Sequence, residues 1–299
     1  MDRRLFLSTG LALLASSCFR RRDEIVVGSK NFTEQLILGE LLAQYLGLRC
    51  DIPVEGRFYL AGTYICHQAL LAGRIDSYVE YTGTALAAVL KEKYSGDPAA
   101  VYDQVKTGYK QRFNLDVMPP LGFNNSFAIV VRGEDARRMG ITKLSELGHY
   151  ARQMKLGVGY EFLERRDGYA GLVQTYGLQF AEAPRVMDLG LLYRALENRS
   201  VDIVAGSNTD GLIEALGLVV LDDDKHYFPP YDAVPIVRSK TLQRISCVGS
   251  ALAALAGKIT ADDMRKMNYA VDGGKQDAKM VTSQFIESKL PPGSSVPIS

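Results

Sequence analysis

Short apolar runs alternate with longer amphipathic segments from Glu24 onward. EIVVGS is typical of a buried strand, and the leucines of the following TEQLILGELLAQYL recur at mixed helical spacing. RCDIPVE predicts a second strand, and TYICHQALLAG predicts a helix capped by Thr63 and ended by Gly73. A strand–helix–strand–helix order indicates an open α/β sheet.

The second half of the chain repeats this order. KLGVGYEF predicts a strand and a turn, GYAGLVQTYG a helix ended by Gly177, PRVMD a strand and LGLLYRALENRS a helix. Two passages, ALLAGRIDSYVEYTGT and ALENRSVDIVAGSNTD, align without gaps and place Asp76 opposite Asp202 and Tyr81 opposite Ser207. We infer two similar α/β lobes, although short passages of this kind also recur by coincidence in α/β proteins.

Extended and helical segments complete the predicted organisation. Pro229 and Pro230 stiffen an extended segment, as expected where the chain crosses between lobes, and helical patterns follow from about Thr241. We therefore expect a signal segment at 1–18, a tether at 19–23, a first lobe formed by 24–124 with 232–299, and a second lobe at 125–231. Ligands of open α/β sheets bind beyond the carboxyl ends of the strands, so Tyr81 and Ser207 lie at the predicted cleft.

The N-terminal segment predicts export. Arg3 and Arg4 precede LFLSTGLALLASS, an apolar stretch too short to span a bilayer as a mature helix. The paired arginines are similar to a twin-arginine signal, and LASSC is similar to a lipoprotein box in which Cys18 is lipidated. A cleaved signal without lipid is the alternative. The other cysteines are odd in number and are expected to be free and buried: Cys50, Cys66 and Cys247.

Composition excludes several classes of function. The 35 basic and 34 acidic residues lack the excess positive charge of a nucleic-acid surface. The three histidines share no metal-ligand spacing, and no complete nucleotide-binding motif or nucleophile elbow occurs. We expect no metal, no cofactor and no enzyme. A periplasmic α/β enzyme or a sensor lobe pair is the rival class, and a catalytic grouping of Glu161, Asp210 and His226 would support the enzyme.

Six ordered blocks carry a resemblance to a known family. VGSKNFTEQLILGELLAQYL, IDSYVEYTGTAL, LGFNNSFAIVVR, RRDGYAGLVQTYGL, VDIVAGSNTDG and LDDDKHYFPPYDAVPIVR together resemble the osmoprotectant class of ABC-importer substrate-binding proteins, which binds glycine betaine, choline and carnitine. The resemblance runs from about Ile25 to Phe285. It implies a two-lobed Venus-flytrap fold of type II, a monomer in the periplasm or on the outer face of the cell membrane, and delivery of a small solute to a membrane permease.

The resemblance also implies the site. In relatives that bind quaternary amines, tyrosines surround the cation, while basic and polar side chains hold a carboxylate. Carried over by motif, the ligand-binding residues are expected to be Lys30, Tyr81, Thr84, Asn125, Phe127, Arg165, Ser207 and Tyr231. A trimethylammonium group has no N–H and is recognised best by aromatic faces.

The expected aromatic box is incomplete in this chain. Phe127 and Ser207 stand where cage-forming relatives commonly have tyrosine, and the sequence does not show whether Tyr160 or Phe162 completes the box. The reduced box suggests a bulkier or more polar ligand, such as the histidine-derived betaine ergothioneine, or a weak betaine site.

Overall fold

The computed structural model describes residues 24–93 and 97–290. The predicted signal segment, Cys18 and the tether lie outside the described residues. Among the described residues, ten strands form two five-stranded sheets. The first sheet contains β1 (Ile25–Gly28), β2 (Val54–Arg57), β3 (Ser77–Tyr81), β4 (Leu115–Val117) and β10 (Ala233–Arg238), and the second contains β5 (Phe127–Arg132), β6 (Leu156–Val158), β7 (Arg185–Val186), β8 (Ile203–Ser207) and β9 (Leu218–Leu221).

Thirteen α-helices occur in the described ranges, several of them only one or two turns long. They are α1 (Thr33–Cys50), α2 (Thr63–Leu71), α3 (Thr82–Thr84), α4 (Pro98–Phe113), α5 (Gly133–Met139), α6 (Tyr160–Glu164), α7 (Tyr169–Tyr176), α8 (Leu192–Glu197), α9 (Leu212–Ala215), α10 (Ser239–Arg244), α11 (Cys247–Ala253), α12 (Ala261–Asp272) and α13 (Ala278–Lys289). The short α3 continues as a π-helical segment, Ala85–Leu90.

The two sheets share one topology. Their strand orders are β2-β1-β3-β10-β4 and β7-β6-β8-β5-β9. The aligned strands β3 and β8 occupy the same central place, each with a parallel neighbour on one side and an antiparallel neighbour on the other. We call the part built on the first sheet lobe 1 and the part built on the second sheet lobe 2. The inferred pair of similar α/β lobes is thereby confirmed.

The aligned aspartates play equivalent roles. Asp76 accepts a hydrogen bond from the N–H of Val26 at 2.9 Å, and Asp202 accepts one from the N–H of Lys155 at 3.0 Å. Each carboxylate thus ties the turn before the central strand to the neighbouring parallel strand. Both passages thus place an aspartate where it makes the same hydrogen bond in each lobe.

Two antiparallel segments join the lobes. Residues 118–126 lead from β4 to β5, and residues 222–232 lead from β9 to β10. Asn124 pairs with Asp232 between them. The predicted extended crossover at Pro229–Pro230 lies in the second segment.

The C-terminal helices pack on lobe 1. Helices α11, α12 and α13 all contact α1, and their apolar side chains join its core, for example Leu252, Met264 and Phe285 with Leu41. Helix α12 also contacts α9 in lobe 2.

Some local predictions were wrong. Helix α1 continues through Cys50, so the second strand begins only at Val54. Helix α2 has Gly62 at its N-cap, whereas Thr63 is the first helical residue and is buried. The predicted turn after β6 is the short helix α6.

The prediction of free cysteines was wrong for two of the three. Cys50 at the end of α1 and Cys247 at the start of α11 form a disulfide with a Cα–Cα distance of 5.7 Å. Cys66 is free and buried. The odd number of cysteines did not exclude a disulfide, because Cys66 stays free in the core of lobe 1 while the other two pair.

Candidate functional site

The candidate site lies where β3 and β8 end, beside the two crossovers. Tyr81 is the last residue of β3, and Ser207 is the last residue of β8, paired with Phe127. Asn125 lies in one crossover, and its N–H donates to the carbonyl of Tyr231 in the other at 2.9 Å. Strand ends and crossovers thus bring residues of both lobes together.

Four aromatic rings form a cluster at this junction. The ring centroid of Phe127 lies 4.9 Å from Phe162, 5.7 Å from Phe228 and 5.6 Å from Tyr231. The guanidinium carbon of Arg165 lies 4.8 Å from the Phe127 centroid and 5.7 Å from that of Tyr231. The faces of Phe127 and Tyr231 are therefore occupied by a cation of the protein itself, the Arg165 guanidinium.

Arg165 links the two lobes through charge-assisted hydrogen bonds. Its Nε donates to Asp167 Oδ1 at 2.9 Å, a second N–H donates to Oδ2, and Nη1 donates to Thr84 Oγ1 in lobe 1 at 3.0 Å. The Tyr231 hydroxyl donates to the same Asp167 carboxylate at 2.5 Å. Both charged side chains are buried, and the carboxylate compensates the guanidinium.

Lys30 is likewise compensated. Its Nζ lies 2.5 Å from Glu80 Oε1, donates to Thr63 Oγ1 at 3.4 Å, and sits 4.5 Å from the ring centroid of Tyr81. Lys30 and Glu80 are both buried. In this structure the ammonium group of Lys30, an expected ligand-binding residue, is paired with a carboxylate of the protein itself.

Glu34, in the first turn of α1, joins both lobes. Its Oε1 accepts from the Tyr81 hydroxyl at 2.5 Å and from Asn125 Nδ2 at 2.6 Å. Its Oε2 accepts from Thr209 Oγ1 at 2.5 Å and from Asn268 Nδ2 at 3.1 Å. Burial raises the pKa of the Glu34 carboxyl group, although all four hydrogen bonds oppose the shift. Its partners are all neutral, unlike those of Glu80 and Asp167.

Two buried amides at the junction have unused hydrogen-bonding capacity. Gln35 is fully buried, and neither its Oε1 nor its Nε2 has a partner among the described residues. Burial raises the pKa of the nearby Tyr81 hydroxyl, and the Gln35 side chain lies close enough to oppose that shift. Asn268 Nδ2 donates to Glu34 and to the carbonyl of Thr209. The buried Oδ1 of Asn268 has no donor among the residues that the structure describes. Buried polar groups are normally paired with protein, water or a ligand, so these amide atoms are available to a further hydrogen-bonding partner.

The structure divides the eight predicted residues into two neighbouring groups. Around Glu34 lie Tyr81, Asn125 and Ser207, whose hydroxyl donates to Asn125 Oδ1. The residues around Asp167 are Thr84, Phe127, Arg165 and Tyr231. Lys30 lies beside the first group, over Tyr81.

The open question about the aromatic box has a structural answer. Tyr160 is 65% exposed, whereas Phe162 is buried against Phe127. Ser207 faces Asn125 and Thr209, so polar groups line the place of the missing ring. The junction of the lobes is therefore aromatic around Phe127 and polar around Glu34.

Other kinds of site find no support at these residues. Within the described ranges no hydrogen bond or ion pair joins Glu161, Asp210 and His226, no cluster of His, Cys, Asp or Glu suits a metal ion, and no helix is long and apolar enough to cross a membrane. A surface groove of about 630 Å³ lies between α1, β2 and α13 and contains none of the eight predicted residues.

The comparisons with known proteins agree with this architecture. A family model described as the substrate-binding domain of the ABC-type glycine betaine transport system, OpuAC, matches residues 23–288. The chain belongs to this family. The resemblance inferred from the six sequence blocks is confirmed, and so is the two-lobed Venus-flytrap fold. Members of the OpuAC family are extracytoplasmic substrate-binding components of ABC importers.

Three relatives illustrate the range of the family. The chain is 31% identical over 268 residues to the carnitine transport binding protein OpuCC of Listeria monocytogenes, covering 89% of this chain and 87% of OpuCC. It is 32% identical over 284 residues to the ergothioneine transport permease/ergothioneine binding protein EgtU of Helicobacter pylori, covering 95% of this chain and 50% of EgtU. The crystal structure of a glycine betaine/carnitine/choline ABC transporter matches with a TM-score of 0.73 at 30% identity, covering 88% of this chain and 98% of that one.

Several residues of the site in this OpuAC-family protein were missed from the sequence. Glu34 and Gln35 were interpreted only as the first turn of an amphipathic helix, although two adjacent polar residues on a helix otherwise rich in leucine were a usable signal. Asp167, two residues after Arg165, could have been found as its partner. Thr209 and Asn268 gave no such signal, because only the folded chain brings them together.

Proposed function

We propose that this chain binds a quaternary-ammonium solute of the glycine betaine, choline or carnitine type between its lobes and delivers it to an ABC permease. One observation carries the proposal. The faces of Phe127 and Tyr231 hold the Arg165 guanidinium at 4.8 and 5.7 Å, so the buried junction is built to receive a weakly hydrated cation on aromatic rings. Each such ring contributes about 0.5–2 kcal/mol to binding a cation.

The ligand replaces contacts that the protein makes with itself. Its ammonium group takes the ring faces, and the Arg165 fork turns to the ligand's carboxylate when it has one. Thr84, whose hydroxyl accepts from Arg165 at 3.0 Å, guides that movement. Tyr81 supplies a further ring, since it already carries the Lys30 ammonium at 4.5 Å. All eight predicted residues are retained as ligand-binding residues, with Glu34 and Gln35 added.

A bulkier betaine is the second candidate. Ser207 leaves the Glu34 side of the box without a ring, and the unpaired acceptors Gln35 Oε1 and Asn268 Oδ1 suit a ligand that brings N–H donors. Ergothioneine is a quaternary amine with such donors. The relative EgtU from Helicobacter pylori bears that ligand in its name.

The remaining features follow from the same role. The lobes are 24–124 with 232–299 and 125–231, and they close on the ligand as a monomer anchored outside the cell through lipid on Cys18. Contacts with the ligand that form only on closure shift the lobes from the open to the closed arrangement. The two closed lobes together form the surface that the permease recognises. The chain performs no catalysis.

Calorimetry with the full-length chain tests the proposal. The panel contains glycine betaine, choline, carnitine, proline betaine and ergothioneine, and at least one should bind and raise the melting temperature progressively, with the logarithm of its concentration once that exceeds the Kd. If no quaternary amine shifts the melting temperature at millimolar concentration while another class of solute does, the ligand assignment is wrong.

A pair of phenylalanine variants places the ligand. Phe127→Leu removes one ring face and should raise the Kd about 2- to 30-fold, which corresponds to roughly 0.5–2 kcal/mol. Phe180→Leu is the matched control, because Phe180 is also half-buried but its ring lies beside Tyr169, elsewhere in lobe 2, with the centroids 6.3 Å apart. Equal dissociation constants for both variants would remove Phe127 from the site.

A further inference from the structure

Helix α12 of lobe 1 touches the segment after β8 in lobe 2 at a place outside the ring cluster. We call the four residues that meet there the α12 clasp: Thr209 and Gly211 from lobe 2, Asn268 and Tyr269 from lobe 1. Asn268 Nδ2 donates to the carbonyl of Thr209 at 2.9 Å. Thr209 and Asn268 are both buried.

Gly211 brings the two backbones into direct contact. A Cβ at this position would lie 2.4 Å from the backbone nitrogen of Tyr269 and 2.6 Å from its Cα. Cβ atoms do not approach other heavy atoms so closely, and a backbone cannot rotate away as a side chain does. An alanine at 211 is therefore compatible only with lobes that stand further apart.

The need for glycine at 211 arises from this contact alone. Its φ of −66° and ψ of −22° are ordinary for any residue. A methyl group would leave the local fold of lobe 2 unstrained and, by restricting the unfolded chain, would not weaken it. The steric clash of the added methyl group therefore destabilises the closed arrangement of the lobes and not the local fold of lobe 2.

Gly62, at the start of α2, provides an internal comparison. A Cβ there would lie 2.0 Å from Oε1 of Glu161, which belongs to lobe 2. This obstacle is the end of a flexible side chain, so rotation of Glu161 relieves it. Both glycines lie between the lobes, but only Gly211 meets backbone.

We propose that the α12 clasp sets how tightly the lobes close and that Gly211 thereby determines affinity without touching the ligand. The contact of Gly211 with the Tyr269 backbone joins protein to protein, so it favours the closed lobes equally for any ligand and also without one. Because the closed state is the one that binds ligand, the free energy of lobe closure is part of the measured binding free energy. The inference rests on the proposed function only where a ligand is used to measure closure.

Three glycine variants test the inference. Calorimetry with two panel ligands should show that Gly211→Ala raises both dissociation constants by the same factor, about tenfold or more. Gly148→Ala, where a Cβ meets nothing within 4 Å, should match the parent chain, and Gly62→Ala should fall between them. X-ray scattering of the ligand-free chains should give a larger radius of gyration for Gly211→Ala than for the parent.

The outcomes separate this inference from the proposed function. Kd values of Gly211→Ala within twofold of the parent overturn the clasp, and so does a loss that differs between the two ligands, because it would place Gly211 at the ligand. If the parent binds no panel member, the proposed function fails and scattering alone decides, with equal radii refuting the clasp. Should Gly211→Ala not fold, Asn268→Leu replaces it with scattering as its only readout, because Asn268 Oδ1 is also a proposed ligand contact. A radius of gyration equal to that of the parent would then refute the clasp.

Discussion

Removal of the Cys50–Cys247 disulfide should destabilise the fold and leave the ligand site intact. The bond joins residues 197 positions apart. In the chain-entropy account, a crosslink over a loop of that length restricts the unfolded chain by about 5 kcal/mol, which is an upper figure because unfolded chains retain structure. We expect the variant Cys50→Ser/Cys247→Ser to lose about 3–5 kcal/mol of unfolding free energy.

The site should not respond to this change. Both cysteines belong to lobe 1, and α1 places Cys50 about 24 Å from Glu34 at 1.5 Å per residue. Urea unfolding of the parent, the reduced parent and the double variant measures stability, peptide mapping without reductant verifies the bond, and calorimetry measures ligand affinity. Unchanged unfolding free energy in the double variant would refute the stabilisation argument, and a changed Kd would refute its independence from the site.

Two further substitutions test charges near the lobe junction. Burial raises the pKa of Asp210 to about 7 in the folded chain, whereas in the unfolded chain the pKa has its ordinary value of 3.8. The folded state therefore binds the proton more tightly. The stability that this group contributes is complete below about pH 4 and is lost as the pH rises through 7. Asp210→Asn should flatten that slope in urea unfolding at pH 5 and pH 8, and an unchanged slope would contradict the assignment. Asp167→Asn leaves Arg165 buried without a compensating charge and should lower the unfolding free energy by about 3–5 kcal/mol. Asp262→Asn, in an exposed pair with Lys266, should have little effect, and equal effects of the two variants would show that the buried pair is not special.

The fold was predictable because local patterns agree with it. The alternation of short apolar runs and amphipathic segments gave the α/β class, and the gapless alignment of two passages identified strands β3 and β8, which occupy the same place in their sheets. Helix ends at glycine were also predictable, since Gly177 adopts a φ of 65° that ordinary residues avoid. The disulfide was not predictable, because pairing of Cys50 depends on how α11 packs against α1.

The site was only partly predictable. Motifs identified the residues on strand ends and crossovers, such as Tyr81 and Tyr231, because the topology of the sheets determines where these residues lie. Charge compensation was hidden, since nothing in the sequence pairs Lys30 with Glu80 or makes Glu34 a meeting point of both lobes. Contacts between residues far apart in the chain arise from tertiary packing and lie beyond local pattern.

The most direct test of the central claim compares a quaternary amine with its carbon isostere. Choline is paired with 3,3-dimethylbutanol and glycine betaine with 3,3-dimethylbutyrate, so that each pair differs in the charged nitrogen alone. If aromatic faces at Phe127, Tyr231 and Tyr81 hold the cation, calorimetry should show at least one ammonium compound binding about tenfold or more tightly than its isostere, since three rings contribute roughly 1.5 kcal/mol or more. Equal affinities within both pairs would contradict the account.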